Sequence, residues 1–196
     1  MTYETASGPV RLRQFTLADC AIAEANPATP ENDRFSWFGF PVPGLLRKMV
    51  ESGDFPRWGD LNGRLAVEAD GEYIGTMSWH TKDYGPIQAP SLNFGIGLLP
   101  AARGKGYGTE AQRLLVAYLF DTTTVNRVEA GTDVENIAEQ RSLEKAGLLR
   151  EGVIRGAHYR EGKYNDMVLY GIIRADFEAA RATKGTKVTT GFTASR

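Results

Sequence analysis

Only one cysteine and two histidines occur in this chain, and that scarcity narrows what the protein can be. Cys20 has no partner for an internal disulfide, and so few histidine and cysteine ligands predict that no metal is bound. The net charge of −1 argues against a nucleic acid or an anionic membrane as a partner held by bulk charge. No apolar run approaches bilayer-spanning length, and the first residues lack the apolar core of a signal peptide. We therefore expect a cytoplasmic protein.

What the chain does have is enough apolar sequence for one domain. Its 196 residues are 42% hydrophobic and 24% charged, which is typical of a globular protein. Strands and helices alternate without repeats or an internal linker, so we expect an α+β domain, with α/β-like alternation, over residues 1–177. Residues 178–196 are polar and unpatterned, which predicts a flexible tail.

Turn and capping signals locate the individual elements. Alternating apolar and polar residues predict strands at 10–13, 65–68, 73–79, 153–159 and 167–173, and the Asp70-Gly71 turn joins the second to the third. Thr16 and Asp19 indicate the capped start of a helix, and Gly53 and Gly147 each end one. A helix after residue 106 buries one face, consisting of Ala111, Leu114, Leu115, Tyr118 and Leu119. The segment SLNFGIGLL is a strand in which Gly95 and Gly97 suggest a bulge.

The most unusual stretch of the chain is RGKGYG, residues 103–108, between that strand and that helix. Glycines at a helix N-terminus expose backbone N–H groups that suit a phosphate, and Arg103 and Lys105 add positive charge. A Walker loop would need Lys followed by Ser or Thr, and the dinucleotide fingerprint would need the spacing GxGxxG, so both are excluded. From the glycines alone, a tight turn without a ligand remains an alternative.

Three longer segments carry a resemblance to the GNAT acyltransferase superfamily, in particular to its RimJ/RimL-like branch. RGKGYG fits the [Q/R]-x-x-G-x-[G/A] signature, NIAEQRSLEKAGLLREGVIR resembles a block of that branch, and YREGKYNDMVLYGIIR resembles its closing hairpin. The resemblance implies a central mixed, mostly antiparallel, twisted sheet with a splayed fourth strand and helices on both faces. It also implies that acetyl-CoA binds at the glycine loop and that no metal is needed.

The resemblance assigns residues to the cofactor. The splayed strand would bond the pantetheine arm, the glycine loop would hold the pyrophosphate, and a helix-capping asparagine would contact the arm near the thioester. The corresponding residues are Ile96, Gly97, Leu98, Arg103, Gly104, Lys105, Gly106, Tyr107, Gly108, Thr109 and Asn136.

Two catalytic positions depart from the family pattern. Asn93 stands where many members have the glutamate that deprotonates the amine, and Leu143 stands where many have the tyrosine that protonates the thiolate. Glu139 replaces a serine that is frequent in the branch. An amine still has to lose a proton before it attacks the thioester, so another group or ordered water must accept it. We take His80 as the first candidate, and Asn93, Glu135 and Glu139 as positions that could hold water.

The acceptor is less determined than the cofactor. Trp37, Trp79, Tyr84 and His158 are candidates for substrate contact, although core packing is an alternative for each. We expect transfer of an acetyl group to a small-molecule amine or a peptide N-terminus, by a monomer or homodimer. A non-catalytic CoA-binding module is the alternative, and the substitutions at Asn93 and Leu143 favour it.

Overall fold

Eight strands form one mixed sheet at the centre of the molecule. The computed structural model describes residues 5–35, 44–57, 59–85 and 89–184. In these residues the sheet order is β1-β2-β3-β4-β5-β6-β8-β7, and every neighbouring pair is antiparallel except β5 and β6. The strands are β1 (Thr5–Ser7), β2 (Val10–Arg13), β3 (Gly63–Ala69), β4 (Glu72–Lys82), β5 (Ser91–Leu98), β6 (Arg127–Asp133), β7 (Leu149–Arg160) and β8 (Lys163–Ile173). The predicted strands are confirmed.

Helices lie on both faces of this sheet, as expected. They are α1 (Leu17–Ala25), α2 (Leu45–Ser52), α3 (Tyr107–Thr122), α4 (Ile137–Ala146) and α5 (Arg174–Lys184). Thr16 and Asp19 form a complete capping box at the start of α1. Gly53 and Gly147 end α2 and α4 in the left-handed conformation, which a residue with a side chain adopts at a cost.

The two faces carry apolar cores of unequal size. The larger core packs α3 against the sheet, and the predicted apolar face of α3 is buried, with Ala111, Leu115 and Leu119 each 0% exposed. On the opposite face, Phe15, Ala66 and Tyr73 form a small cluster with residues of α1 and α2. We refer to these sides as the α3 face and the opposite face.

The sheet separates between β5 and β6. Their parallel pairing extends only over Leu92–Val128 and Asn93–Glu129, so the later part of β5 diverges from β6. The splayed strand is therefore confirmed, but the bulge suggested by Gly95 and Gly97 is wrong. β5 pairs with β4 in unbroken register from Ser91 to Leu98, and the irregularity lies instead between β3 and β4, where the register shifts between Val67 and Glu68. The two glycines leave the opposite face of β5 without side-chain bulk.

The last helix extends beyond the expected domain end. α5 continues to Lys184, so residues 178–184, which the sequence analysis places in a polar tail, are helical. Phe177 stacks on Phe120 of α3, and the Arg181 guanidinium pairs with Asp121. Within the described ranges, none of the helices is long and apolar enough to cross a membrane.

Candidate active site

The glycine loop opens into a cavity of about 410 Å³ on the α3 face. Gly106 caps α3 with φ 84°, and Gly104 has φ 74°. Both conformations favour glycine, and they place the free N–H groups of the first turn of α3 at the cavity wall. Gly104, Gly106, Gly108 and Thr109 all line it. A Cβ on Gly108 would lie 3.4 Å from the Leu98 side chain, which is ordinary van der Waals contact, so the first turn of α3 packs next to β5.

The divergent part of β5 forms a second wall of this cavity. Ile96, Gly97 and Leu98 line it, beyond the last ladder pair with β6 at Asn93. Backbone groups of these residues that point toward β6 have no ladder partner in that strand. An extended amide-containing chain could bond to them in the manner of an added strand.

The third wall is the N-terminal turn of α4. Asn136 caps the helix by accepting from the Glu139 N–H at 3.3 Å, and its amide donates to Thr132 at 3.0 Å. Both Asn136 and Glu139 line the cavity. The Glu139 carboxylate accepts a bond of 2.7 Å from the amide of Gln112, a fully buried residue of α3. Burial raises the pKa of Glu139 to about 7, and the Gln112 bond opposes this only in part.

The longer side chains of the loop, Arg103, Lys105 and Tyr107, bond other parts of the protein or are exposed to solvent. The Arg103 guanidinium donates to Leu98 O at 2.9 Å and to Asp33 at 2.8 Å, and it also bonds Asn32 O. Arg103 thereby ties the α1–α2 connection to the loop at the cavity mouth. Tyr107 directs its hydroxyl to Asp70 at 2.9 Å, and its pKa is raised mainly by that bond. Its side chain therefore does not serve the cavity, and Lys105 is exposed beside it.

A row of polar residues crosses the opposite face of the sheet. His80 of β4 pairs with Asn93 of β5, and Asn93 pairs with Glu129 of β6. The Asn93 amide donates to Glu129 at 3.4 Å, so a carboxylate lies one strand away from the position where the resemblance expects one. Tyr84 and Arg127 also bond this carboxylate, which is 1% exposed. The row places His80, Asn93 and Tyr84 together.

A second polar group lies where β6 ends. Asp133 lies 2.8 Å from Arg160 and 3.2 Å from the Nε2 atom of His158. Burial raises the pKa of Asp133, but the Glu135 N–H and Arg160 outweigh burial and hold it below its usual range. The Glu135 side chain pairs with Arg34 at 3.3 Å and with Arg160 at 3.5 Å. Glu135 is therefore an ion-pair partner at the surface.

One predicted substrate contact is a core residue. Trp79 is 2% exposed, packs edge-on against Tyr118 of α3, and donates from its indole to Asp60 O. Its position in β4 points it to the α3 face, whereas His80, the next residue, points to the opposite face. The assignment of Trp79 to an acceptor pocket is therefore wrong. Trp37 lies outside the described residues.

Sequence reasoning missed two polar residues that the fold brings to the site. Glu129 is a lone acid within the apolar strand RVEAGTD, and an acid in a strand buried on both faces signals a paired carboxylate. Gln112 lies on the buried face of α3, and the apolar residues Leu115 and Val116 follow it one turn later. A polar residue at a core position in each case was the available signal.

Comparisons with known proteins agree with this geometry. The family model described as an acetyltransferase (GNAT) domain matches residues 10–149. "Probable N-acetyltransferase YjcK" of Bacillus subtilis (strain 168) is 36% identical over 114 residues, which are 58% of this chain and 62% of that protein.

Two solved structures share the fold. RimJ of Mycobacterium smegmatis, in complex with CoA-disulfide, has a TM-score of 0.70 at 18% identity, covering 94% of this chain and 93% of RimJ. Spermidine N-acetyltransferase of Vibrio cholerae, in complex with CoA and spermine, has a TM-score of 0.70 at 18% identity, covering 88% of this chain and 98% of that one. Since the family model spans most of the chain, this protein belongs to the GNAT acetyltransferase family.

Proposed function

We propose that this protein transfers the acetyl group of acetyl-CoA to a primary amine, by direct attack of the amine in a ternary complex. The observation that carries the proposal is the cavity between α3, β5 and α4, in which a glycine loop at a helix N-terminus adjoins a strand edge released from its neighbour. The loop fits a pyrophosphate, and the strand edge fits the amides of a pantetheine arm.

The acceptor would approach from the opposite face of the sheet. Gly95 and Gly97 leave that side of β5 without side chains, so an amine could reach a thioester lying between the diverging strands. His80, next to Asn93 in the ladder, is the candidate that accepts the ammonium proton, directly or through water. The acceptor class is a small-molecule amine or a peptide N-terminus, and similar solved structures include a spermidine N-acetyltransferase and a ribosomal L7/L12 alpha-N-protein acetyltransferase.

A glycine substitution tests the cofactor site. Gly106→Val would introduce a branched side chain at φ 84°, where the first N–H groups of α3 must approach a phosphate. We expect the parent to bind acetyl-CoA in the micromolar range and the variant to lose binding, measured by calorimetry. Gly53→Val is the matched control, since Gly53 also has positive φ and ends α2 away from the cavity. Equal affinity of parent and Gly106→Val for CoA would overturn the assignment.

Thiol release separates an enzyme from a CoA-binding module. The module remains a second candidate because position 93 is Asn and position 143 is a Leu buried in the core. Acetyl-CoA is incubated with single amines, including spermine, benzylamine and short peptides with free N-termini, and free CoA is measured with a thiol reagent. Acetyl transfer to any of them, abolished by Gly106→Val, supports the enzyme. Binding of CoA without turnover on any amine supports the module.

A further inference from the structure

The departing thiolate needs a proton, and α4 offers one residue in a position to supply it. Leu143 is 0% exposed in the core and has no proton to give. Glu139 lies one helical turn earlier on the same side of α4, and it lines the cavity together with Asn136. The question is whether this carboxyl holds a proton.

A chain of oriented hydrogen bonds determines how the carboxyl is held. Thr109 and Ser142 share a bond of 3.0 Å, and Ser142 donates to the Gln112 carbonyl oxygen at 3.1 Å. The Gln112 amide group must then turn its NH₂ toward Glu139, where it donates to Oε1 at 2.7 Å. Because Oε1 accepts this bond, the proton of a neutral carboxyl belongs on Oε2.

Within the part of the chain that the structure describes, Glu139 forms no ion pair. Charged residues that line the same cavity are Asp33, Arg34, Arg103, Arg141 and Lys145. Arg34 pairs with Glu135 and Glu161, and Arg103 pairs with Asp33. Gln112, which meets the carboxyl from α3, is neutral. Burial is therefore the main influence on the pKa of Glu139, which it raises to about 7, so much of the carboxyl is protonated near neutral pH.

We propose that Glu139, oriented by Gln112, is the general acid that protonates the sulfur of CoA as the thioester breaks. The inference rests on the proposed function. The amine nitrogen forms a bond to the thioester carbon, the carbon–sulfur bond breaks, and its electron pair goes to sulfur. Glu139 transfers its proton to that sulfur and becomes a carboxylate, which solvent reprotonates. The ammonium proton and the second amine proton leave on the acceptor side, so amide, CoA thiol and one net proton result.

Binding of acetyl-CoA tests this role without any acceptor. The thioester sulfur carries no proton, so a carboxyl that donates to it must be protonated when acetyl-CoA is bound, and the affinity of the parent for acetyl-CoA should fall above pH 7, by up to about tenfold per pH unit. The affinity of Glu139→Gln should show no such fall once the titration of acetyl-CoA itself is subtracted. Desulfo-CoA, which lacks the sulfur, should show a weaker fall with the parent. Glu144→Gln removes a carboxylate of α4 that bonds Tyr170, and it serves as the control.

The positioning role of Gln112 has its own readout. Gln112→Leu removes the bond that favours the carboxylate form, so the fall in acetyl-CoA affinity should move to higher pH. A residue that only packs α3 on α4 would change stability without moving this profile. Each variant is first checked for a parent-like circular dichroism spectrum, and Glu139→Asp is a second, shorter variant that keeps a titratable proton.

Kinetics complete the test with the amine of highest turnover in the thiol-release panel. Glu139→Gln should lower kcat by about 10²–10⁴-fold and remove the alkaline fall of the rate, with acetyl-CoA affinity at pH 6.5 within about threefold of the parent. Identical pH profiles of acetyl-CoA affinity in parent and Glu139→Gln would overturn the general acid while the proposed function stands. Failure of the parent to bind CoA would instead overturn the proposed function.

Discussion

Asp133 and Glu139 lie at the two ends of the connection from β6 to α4, and their surroundings push their pKa values in opposite directions. Burial acts against the charged form of each. Asp133 faces the Arg160 guanidinium at 2.8 Å and accepts the Glu135 N–H, so it stays ionised. Among the described residues Glu139 accepts from the neutral amide of Gln112 and has no cationic partner, so burial raises its pKa to about 7. A cation nearby decides whether a buried carboxyl is a structural anion or a proton donor.

The same contrast divides the site into two sides. On the α3 face, Glu139 belongs to a network of neutral amide and hydroxyl groups, which also includes Ser142 and Thr109. On the opposite face, Glu129 and Asp133 each meet an arginine. Groups on the α3 face, where acetyl-CoA would bind, are thus suited to supply a proton to sulfur. Groups on the opposite face, where the amine would approach, must remove protons from nitrogen.

The largest expected effect is on turnover, and it follows from replacing His80 on the opposite face of the sheet. His80→Ala removes the only imidazole in the row with Asn93, and loss of a general base lowers turnover by about 10²–10⁴-fold. CoA affinity should stay nearly unchanged, because His80 lies on the face opposite the cavity. A rate within about twofold of the parent would make His80 structural, with water at Asn93 as the better account.

Removing the Asp133 carboxylate should lower the free energy of unfolding. Asp133→Asn leaves the Arg160 side chain, which is 2% exposed, without its buried partner, and breaking such a pair costs about 3–5 kcal/mol. Contacts of Arg160 with Glu135 and Glu161 favour the lower end of that range. Urea unfolding at pH 7 measures the loss. The control, Glu161→Gln, alters a half-exposed carboxylate in a solvent-screened ion pair and should lower the free energy of unfolding far less; equal losses in both variants would contradict the contrast.

Replacing Glu139, the carboxyl on the α3 face, should have the opposite effect on the free energy of unfolding at neutral pH. Since the pKa of Glu139 is about 7 in the fold against the usual 4.5, the folded state keeps a proton that the unfolded chain releases between these values. The free energy of unfolding of the parent should therefore fall as pH rises from about 4.5 to 7, by at most about 3 kcal/mol.

Glu139→Gln should lose this dependence. Compared with the parent, the variant should gain stability from pH 4.5 to pH 7 in urea unfolding series at both values. Glu72→Gln, which alters an exposed carboxylate of β4, should run parallel to the parent. Parallel curves for the parent and Glu139→Gln would mean that Glu139 is ionised in the fold like an ordinary surface acid.

Local patterns in the sequence predicted the elements but not this contrast. Alternation located β2 and β4, and the capping residues Thr16 and Gly147 gave helix ends, because each signal lies within a few neighbouring residues. The glycine loop indicated the cavity for the same reason. Trp79 was misplaced because strand parity alone does not say which face receives α3. The contact of Gln112 with Glu139 joins two helices, and no local signal reports such a pairing.

A structure of the protein with CoA bound tests the central claim most directly. The account predicts the pyrophosphate within hydrogen-bond distance of backbone N–H groups at Gly106 and Gly108, the pantetheine arm along Ile96–Leu98, and the sulfur next to the Glu139 carboxyl. CoA bound outside the cavity between α3, β5 and α4, or with its sulfur directed away from Glu139, would contradict it.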